Sequence, residues 1–570
     1  MGDKKKDSLK DRSFDAIVIG SGMSGGWAAK ELTGKGLHTL VLERGRDVKH
    51  LKDYPTANKY PWEFEHRGEI PADIQSANPV VSRCYAFRED AMHFFVKDTE
   101  HPYIQEKPFD WIRGYQVGGK SLLWARQTQR WSDFDFEGPA RDQFAVDWPI
   151  RYKDLAPWYS HVEKFVGISG NKDNIPNLPD GEFLPPWELS CVENYFKDFI
   201  ARNYKDRHVI YARCAHLSEP QPIHLEQGRA KCQSRTLCQR GCPFGGYFSS
   251  NASTIPWAEK TGFMTLRPYS VVDSIIYDNK KEKVTGVRIV DAKTREAIEY
   301  YAKIIFVNAS TMNSNLILLN SRSDRFPNGL GNDSGVLGKY VAFHNYRARI
   351  SAEYDGFKDS TTDGRRPTSA YIPRFRNVFK QETDFLRGYA AGFSAGRYPS
   401  RNYDGFGTEL KDHLFNSEPG PWRVGSHMMG ETIPKETNTV GLDPDKKDDW
   451  GVPLLRINIA YDDNDEKMTM DFLEQMTEMY TKAGFTNIKT SDSKQAPGLD
   501  IHEMGGARMG HDPKTSVLNN WNQMHACKNV FVTDGACMTS TSSQNPSLTY
   551  MALTARAVDY AVSEMKKMNI

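Results

Sequence analysis

Gly20-Ser-Gly22-Met-Ser-Gly25-Gly26 follows the apolar run of residues 14–19 and leads directly into a helix-forming stretch, residues 27–32. In this order a glycine-rich loop binds a dinucleotide. The first glycine turns the chain out of a strand, and the second lets the backbone approach a pyrophosphate. The third packs the helix against the strand, so that the helix N-terminal amides face the phosphates. A second short strand, residues 39–42, ends at Glu43, at the spacing expected for an acceptor of ribose hydroxyls. A lone G-x-G-x-x-G arises easily by chance, whereas strand, loop, helix, strand and acid in register are specific. A glutamate where a 2′-phosphate site would carry arginine leaves NAD and FAD as the candidates.

The chain has 570 residues, enough for two structural domains. Its 74 basic and 73 acidic residues leave a net charge of +1 and are mixed along the sequence, so no footprint for nucleic acid is expected. Residues 1–12 read as a charged, disordered tail without the apolar core of a secretory signal. No apolar run reaches the roughly 18 residues of a membrane span. A soluble protein made in the cytoplasm is expected, and any export needs a partner that carries the signal. Cys84, Cys191, Cys214, Cys527 and Cys537 are scattered and read as buried free thiols.

Residues 54–107 are aromatic, proline-containing and irregular, as loops covering a site would be. Residues 284–289 and 303–307 read as strands of a meander. From about residue 344 the chain alternates apolar and polar residues (344–353), and 453–461 reads as a further strand, as in an antiparallel sheet with one exposed face. Residues 462–483 read as a helix with Met468, Phe472, Leu473, Met476, Met479 and Tyr480 on one side and Gly484 as its stop. Residues 530–533 form a strand before Asp534-Gly535. Asn545-Pro546 then opens a long helix, with Asn545 as its cap. The fold class expected is α/β: a Rossmann-like dinucleotide-binding domain (13–343 and 495–570) interleaved with a substrate domain (344–494) built on an antiparallel β-sheet with flanking helices.

Four segments together resemble the glucose–methanol–choline (GMC) family of flavin oxidoreductases. These are the loop with Glu43, Val117-Gly-Gly-Lys-Ser-Leu-Leu-Trp124, the pair Asn438-Thr-Val-Gly-Leu-Asp443 and Asp449-Trp-Gly-Val-Pro453, and His502-Glu-Met-Gly-Gly-Ala-Arg-Met-Gly510 with Asp534-Gly535 and Asn545-Pro-Ser-Leu-Thr549. The resemblance implies that the dinucleotide is FAD. It places Gly118, Gly119, Ser121, Trp124, Val272, Asp534 and Gly535 at the cofactor, beside Gly20, Gly22, Gly25, Gly26 and Glu43. It puts the strand pair beside the substrate pocket. In the pyranose oxidase branch the 117–124 segment carries a histidine bonded to the flavin. Leu123 stands there and has no nucleophile, so a dissociable, non-covalent FAD is expected.

Alcohol oxidation removes a hydroxyl proton and a hydride from one carbon, so a base must reach the hydroxyl. His502 matches the family's base, and imidazole titrates near neutral pH. Asn545 matches its second polar group, holding the substrate oxygen while also capping the last helix. His427 is a weaker candidate for facing the substrate, and His511 reads as structural.

Cys232-x5-Cys238-x3-Cys242-Pro243 brings three soft ligands within eleven residues. Zinc, with His216 or His224 as a fourth ligand, and a cluster of reduced thiols are alternatives. The spacing resembles that of bacterial FAD-dependent sugar and gluconate dehydrogenase subunits, and by that resemblance the three cysteines (in an insertion around 210–250) hold a [3Fe–4S] cluster. The expected activity is oxidation of a secondary hydroxyl of a pyranose or glycoside, at C3. Gluconate 2-dehydrogenase or glucose 1-dehydrogenase chemistry is the alternative, and an oxygen-using pyranose oxidase without a cluster the second. A flavoprotein with no redox role is a third. A small partner subunit, a cytochrome-type acceptor and periplasmic export on that partner are implied by the same resemblance, with cytoplasmic residence as the alternative. Loops 361–376 and 396–407 would orient the sugar.

Overall fold

Alternate residues of the first strand, Ser13–Ile19, divide between two cores. Ala16 and Val18 pack with Ala28, Ala29 and Leu32 of the helix Met23–Gly34 and with Val558 and Ala561 of the helix Ser547–Lys566. Ile17 and Ile19 face the opposite core, with Phe109, Trp131 and Leu455. A strand buried on both faces belongs inside a parallel sheet covered on both sides, where each buried aliphatic side chain contributes about 1.5–3 kcal/mol. The sheet runs Met264–Arg267, Thr39–Leu42, Ser13–Ile19, Ala297–Val307, Lys283–Asp291, Ser270–Asp278, and Val530–Val532 adds parallel to Ala297–Val307. Its first four strands and Val530–Val532 are parallel, while Ser270–Asp278, Lys283–Asp291 and Ala297–Val307 form an antiparallel meander. The computed structural model describes residues 12–361, 367–398 and 403–570. The expected tail, apart from Arg12, and parts of the two loops expected to orient the substrate lie outside the described residues.

A second sheet is wholly antiparallel. Its order is Thr486–Asp492, Ala348–Tyr354, Trp422–Glu431, Tyr389–Gly396, Ala370–Ile372, Ile210–Tyr211, with His344–Asn345 also on Trp422–Glu431. The helix Asp463–Lys482 covers one face. Asp462 caps it by accepting from the Asp465 N–H, and Met468, Phe472, Met476, Met479 and Tyr480 pack against Ile350, Phe393 and Val424. On the other face Tyr371, Gly392 and His427 are cross-strand neighbours and line a cavity.

Two local expectations are corrected. The pair Thr439–Lys447 and Pro453–Asn458 is not part of this sheet: it forms a separate three-stranded sheet with Ile104–Gln105, and Val440, Leu455 and Ile457 pack in the core of the first sheet. Asn545 does not cap the last helix. Pro546 occupies the cap position with no side-chain cap bond, and the Asn545 amide is engaged elsewhere. Among the described residues no helix is long and apolar enough to cross a membrane.

Candidate active site

The C-terminal ends of the parallel strands open into a cavity of about 2530 Å³, mouth included, which reaches the exposed face of the antiparallel sheet. Gly20 has φ +96°, and a Cβ there would run into the Asn308 carbonyl oxygen, so the turn out of the strand requires glycine. Gly22 differs. A Cβ on it would meet nothing within 4 Å, and it caps the helix Met23–Gly34 with no side-chain bond and no acid in the first turn. The bare amides of that helix therefore face the cavity, a ready anion site. The helices Thr311–Asn320 and Ser547–Lys566 also begin at this wall without a side-chain cap or first-turn acid. Glu43 accepts from Ser21 Oγ at 2.5 Å, Ser21 N–H at 3.2 Å and Gly45 N–H at 3.0 Å; burial pushes its carboxyl up.

Glu43, Gly119, Ser121, Trp124, Val272, Asp534 and Gly535 all line this cavity together with Gly20 and Gly22. Gly25, Gly26 and Gly118 stand behind its wall. Side chains there would collide with the Gly20 carbonyl, with Thr254 Oγ1 (2.6 Å) and with Asn251, so these three glycines serve close packing rather than contact. The 117–124 segment is pinned by Ser21 Oγ, which accepts the Gly118 N–H at 3.0 Å, and by Trp124 Nε1, which donates to the Phe248 carbonyl at 2.9 Å. Asp534 accepts from Ser314 Oγ at 2.5 Å and Ala536 N–H at 3.0 Å, and burial pushes it up to about 6.

His502 and Asn545, distant in sequence, meet on the cavity wall: Asn545 Nδ2 lies 3.2 Å from His502 Nε2. On the far side His502 Nδ1 is 2.9 Å from Nδ1 of the buried His344. His344 Nε2 lies 3.2 Å from the Thr541 carbonyl oxygen. Burial holds His502 well below the usual imidazole range, with the neighbouring His344 and Lys120 acting in the same direction; burial lowers His344 to about 4. Lys120 Nζ reaches Glu503 Oε2 at 3.3 Å across the cavity. No motif points to His344 or Asp500 at this centre, while Lys120 lies in the 117–124 segment without a role of its own. His427 lines the cavity, its ring lying where a side chain on Gly392 would be, and His511 is largely exposed beside Asp147.

Cys232, Cys238 and Cys242 are half-buried on irregular chain. They are close enough that Cys238 and Cys242, after burial itself, push the Cys232 thiol up to about 11. Among the described residues the only three metal-type ligands with donor atoms within 4.8 Å of one another are His344, Asp500 and His502. The three thiol sulfurs are therefore not all within 4.8 Å of one another. His216 Nε2 is 3.8 Å from Cys238 Sγ, but His224 bonds the Lys164 carbonyl and the Gln221 N–H and is no fourth ligand. Two arginines crowd the thiols. Arg229 is fully buried among carbonyl partners, and burial lowers it to about 9 despite Cys242. Arg126, which also lines the large cavity, has Nε and Nη1 buried without a partner.

Comparison with known proteins bears on the fold and on the class of reaction. The GMC oxidoreductase profile matches residues 434–554. The 2-methyl-1,2-propanediol dehydrogenase of Mycolicibacterium austroafricanum is 29% identical over 96% of this chain and 94% of its own. The fructose dehydrogenase large subunit of Gluconobacter japonicus is 24% identical over 97% and 99%. The formate oxidase of Aspergillus oryzae RIB40 superposes with a TM-score of 0.60 at 13% identity, over 97% of this chain and 99% of that one, and so shares the fold. The chain is similar over nearly its whole length to FAD-dependent GMC oxidoreductases, and it is an oxidoreductase acting on CH–OH groups.

Proposed function

We propose that this protein is a FAD-dependent dehydrogenase that converts a secondary hydroxyl of a pyranose or glycoside to the ketone, at C3, and passes the electrons through a [3Fe–4S] cluster to an external one-electron carrier. The observation that carries the reading is the convergence of His502 Nε2 and the Asn545 amide on a cavity walled by the glycine loop. FAD held there supplies a two-electron acceptor for the hydride. His502, unprotonated at neutral pH because burial lowers its pKa, takes the hydroxyl proton at Nε2. Asn545 Nδ2 donates to the same oxygen and fixes its position. Glu43 and the bare helix amides at Gly22 hold ribose and pyrophosphate. Leu123 lines the cavity and offers no nucleophile, in keeping with a dissociable cofactor.

A polyhydroxylated substrate is supported by further polar groups of the cavity. The Tyr371 hydroxyl is buried without a partner, and Arg126 and His427 line the same cavity. Such a lining, polar groups spaced over an otherwise apolar cavity, fits a sugar. The electron-relay half of the proposal rests on the three cysteines. Their number and spacing in the chain suit a cluster, which distributes its ligands over separate irons, and the buried Arg229 and Arg126 suit its negative charge. A cluster held by Cys232, Cys238 and Cys242 would take electrons from the flavin one at a time. The acceptor beyond it would be a carrier on a partner chain; the fructose dehydrogenase relative is itself named as the large subunit of its enzyme.

The test is anaerobic mixing of the purified holoenzyme with methyl glucosides, glucose and gluconate, followed by NMR of the product and by iron and sulfide analysis. Bleaching of the flavin by the glucoside, a 3-keto product and about three irons per chain support the proposal. No bleaching by any sugar removes the substrate assignment; rapid reoxidation by air with no iron makes the protein an oxidase.

A further inference from the structure

We propose that His344 is a positioning residue that fixes His502 as the tautomer protonated on Nδ1, leaving the Nε2 lone pair for the substrate hydroxyl. The inference rests on the reading of His502 as the base and follows a buried chain of contacts in which only one proton arrangement is consistent. It starts at the Thr541 carbonyl, which has no proton to give. The 3.2 Å contact from His344 Nε2 therefore requires His344 to be protonated there. His344 is fully buried, and burial keeps it neutral at pH 7, so its other nitrogen, Nδ1, is a lone pair. That lone pair is 2.9 Å from His502 Nδ1, which must then carry the proton. His502 Nε2 is left as the acceptor, and Asn545 Nδ2, a donor, lies 3.2 Å from it. Both ends of the chain agree.

Asp500 holds the two rings in this relation. Its Oδ2 accepts the His344 backbone N–H at 2.8 Å, and the His502 N–H also points to the carboxyl, so one side chain ties together strand His344–Asn345 and the segment bearing the base. When the substrate O–H breaks, its proton forms the Nε2–H bond and His502 becomes an imidazolium. The Nδ1–H bond is unchanged and points at the His344 lone pair, so no ring rotation or proton shuffle accompanies the step. In the opposite tautomer Nε2 would present a proton to a hydroxyl that must lose one.

The test compares His344→Leu, which offers Nδ1–H no acceptor, with His344→Gln. The Gln amide can accept from His502 Nδ1–H and donate toward Thr541. The rate of anaerobic flavin reduction should fall on the order of 10²-fold in His344→Leu and stay within about threefold in His344→Gln, with FAD affinity unchanged in both. Histidine ring ¹⁵N shifts of the wild-type holoenzyme without substrate, with His502 identified by the signal lost in His502→Asn, should show Nδ1 protonated and Nε2 bare. A bare Nδ1, or a His344→Leu enzyme that reduces its flavin at the wild-type rate, overturns the proposal. If no sugar reduces the wild-type flavin, the function fails while the ¹⁵N readout still decides the tautomer, also where His344→Leu does not fold.

Discussion

Replacing Gly22 with valine separates what the glycine loop does for the fold from what it does for the cofactor. Gly22 has ordinary extended angles (φ −69°, ψ −152°), and a Cβ on it would meet nothing within 4 Å. A side chain there costs the fold only a weaker N-cap, within about 1 kcal/mol. The same open space is where a pyrophosphate must come to reach the bare amides of the helix. Denying it one or two charge-assisted hydrogen bonds, at about 1.5–3 kcal/mol each, removes about 3 kcal/mol of binding, or on the order of 10²-fold in Kd. Gly20→Val is the contrast. It combines an unfavourable φ of +96° with a collision against backbone at Asn308, and it should fail to fold. Apoprotein melting and fluorescence titration with FAD measure the two effects separately. Gly22→Val should melt near the wild-type temperature and bind FAD about a hundredfold more weakly. Binding within threefold of wild type would show that the phosphates do not approach this amide, and the placement of FAD would be wrong.

Removing the base in His502→Ala should slow flavin reduction by about 10²–10⁴-fold while leaving the bound flavin spectrum intact; stopped-flow absorbance checks it, and a few-fold loss refutes the role. Cys238→Ser should lose iron and dye-linked turnover while the sugar still reduces the flavin, since the thiol lies outside the hydride step; elemental analysis and the two assays run side by side would separate these. The pH dependence of stability has a definite sign at His344. Its folded pKa, about 4, lies below the unfolded value near 6.5, so its contribution is complete above pH 6.5 and is lost as pH falls toward 4, by about 3 kcal/mol. Apoprotein melting should therefore drop over this window, and His344→Gln should flatten the drop; an unchanged slope refutes the assignment.

The glycine loop, its flanking strands and Glu43 were legible because a dinucleotide site is built from consecutive residues, and local spacing carries the whole instruction. The helix Asp463–Lys482 was legible for a similar reason: its methionines repeat with the helical period and Asp462 stands at its cap. The pair Thr439–Lys447 and Pro453–Asn458 was misplaced because alternation reveals a strand but not its partner. Ile104–Gln105, more than 300 residues away, supplies the neighbour. Asn545 shows the limit of local rules: Asn-Pro before a helix reads as a cap, yet a ring 43 residues distant takes its amide. His344 and Asp500 carried no signal at all. Neither lies in a motif, and each matters only because a strand of one sheet is tied by hydrogen bonds to the segment that bears His502.

The electrostatics of the cavity serve binding and proton removal together. Three helices, beginning near Gly22, Ser310 and Ser547, direct uncapped N-termini at one space, and none carries an acid in its first turn. That positive bias suits a pyrophosphate. It also disfavours a positive charge on any imidazole placed there, in the same sense as the burial and the Lys120 ammonium that hold His502 unprotonated. Of the acids at the wall, Glu43 and Asp534 are pushed upward by burial and are tied to the protein by hydrogen bonds from Ser21 and Ser314. A dinucleotide site with capped, acid-bearing helices would hold its phosphates less well and would leave a histidine at this position more readily protonated. The uncapped helix ends that make the cavity fit FAD therefore act in the same direction as the burial that keeps His502 a base.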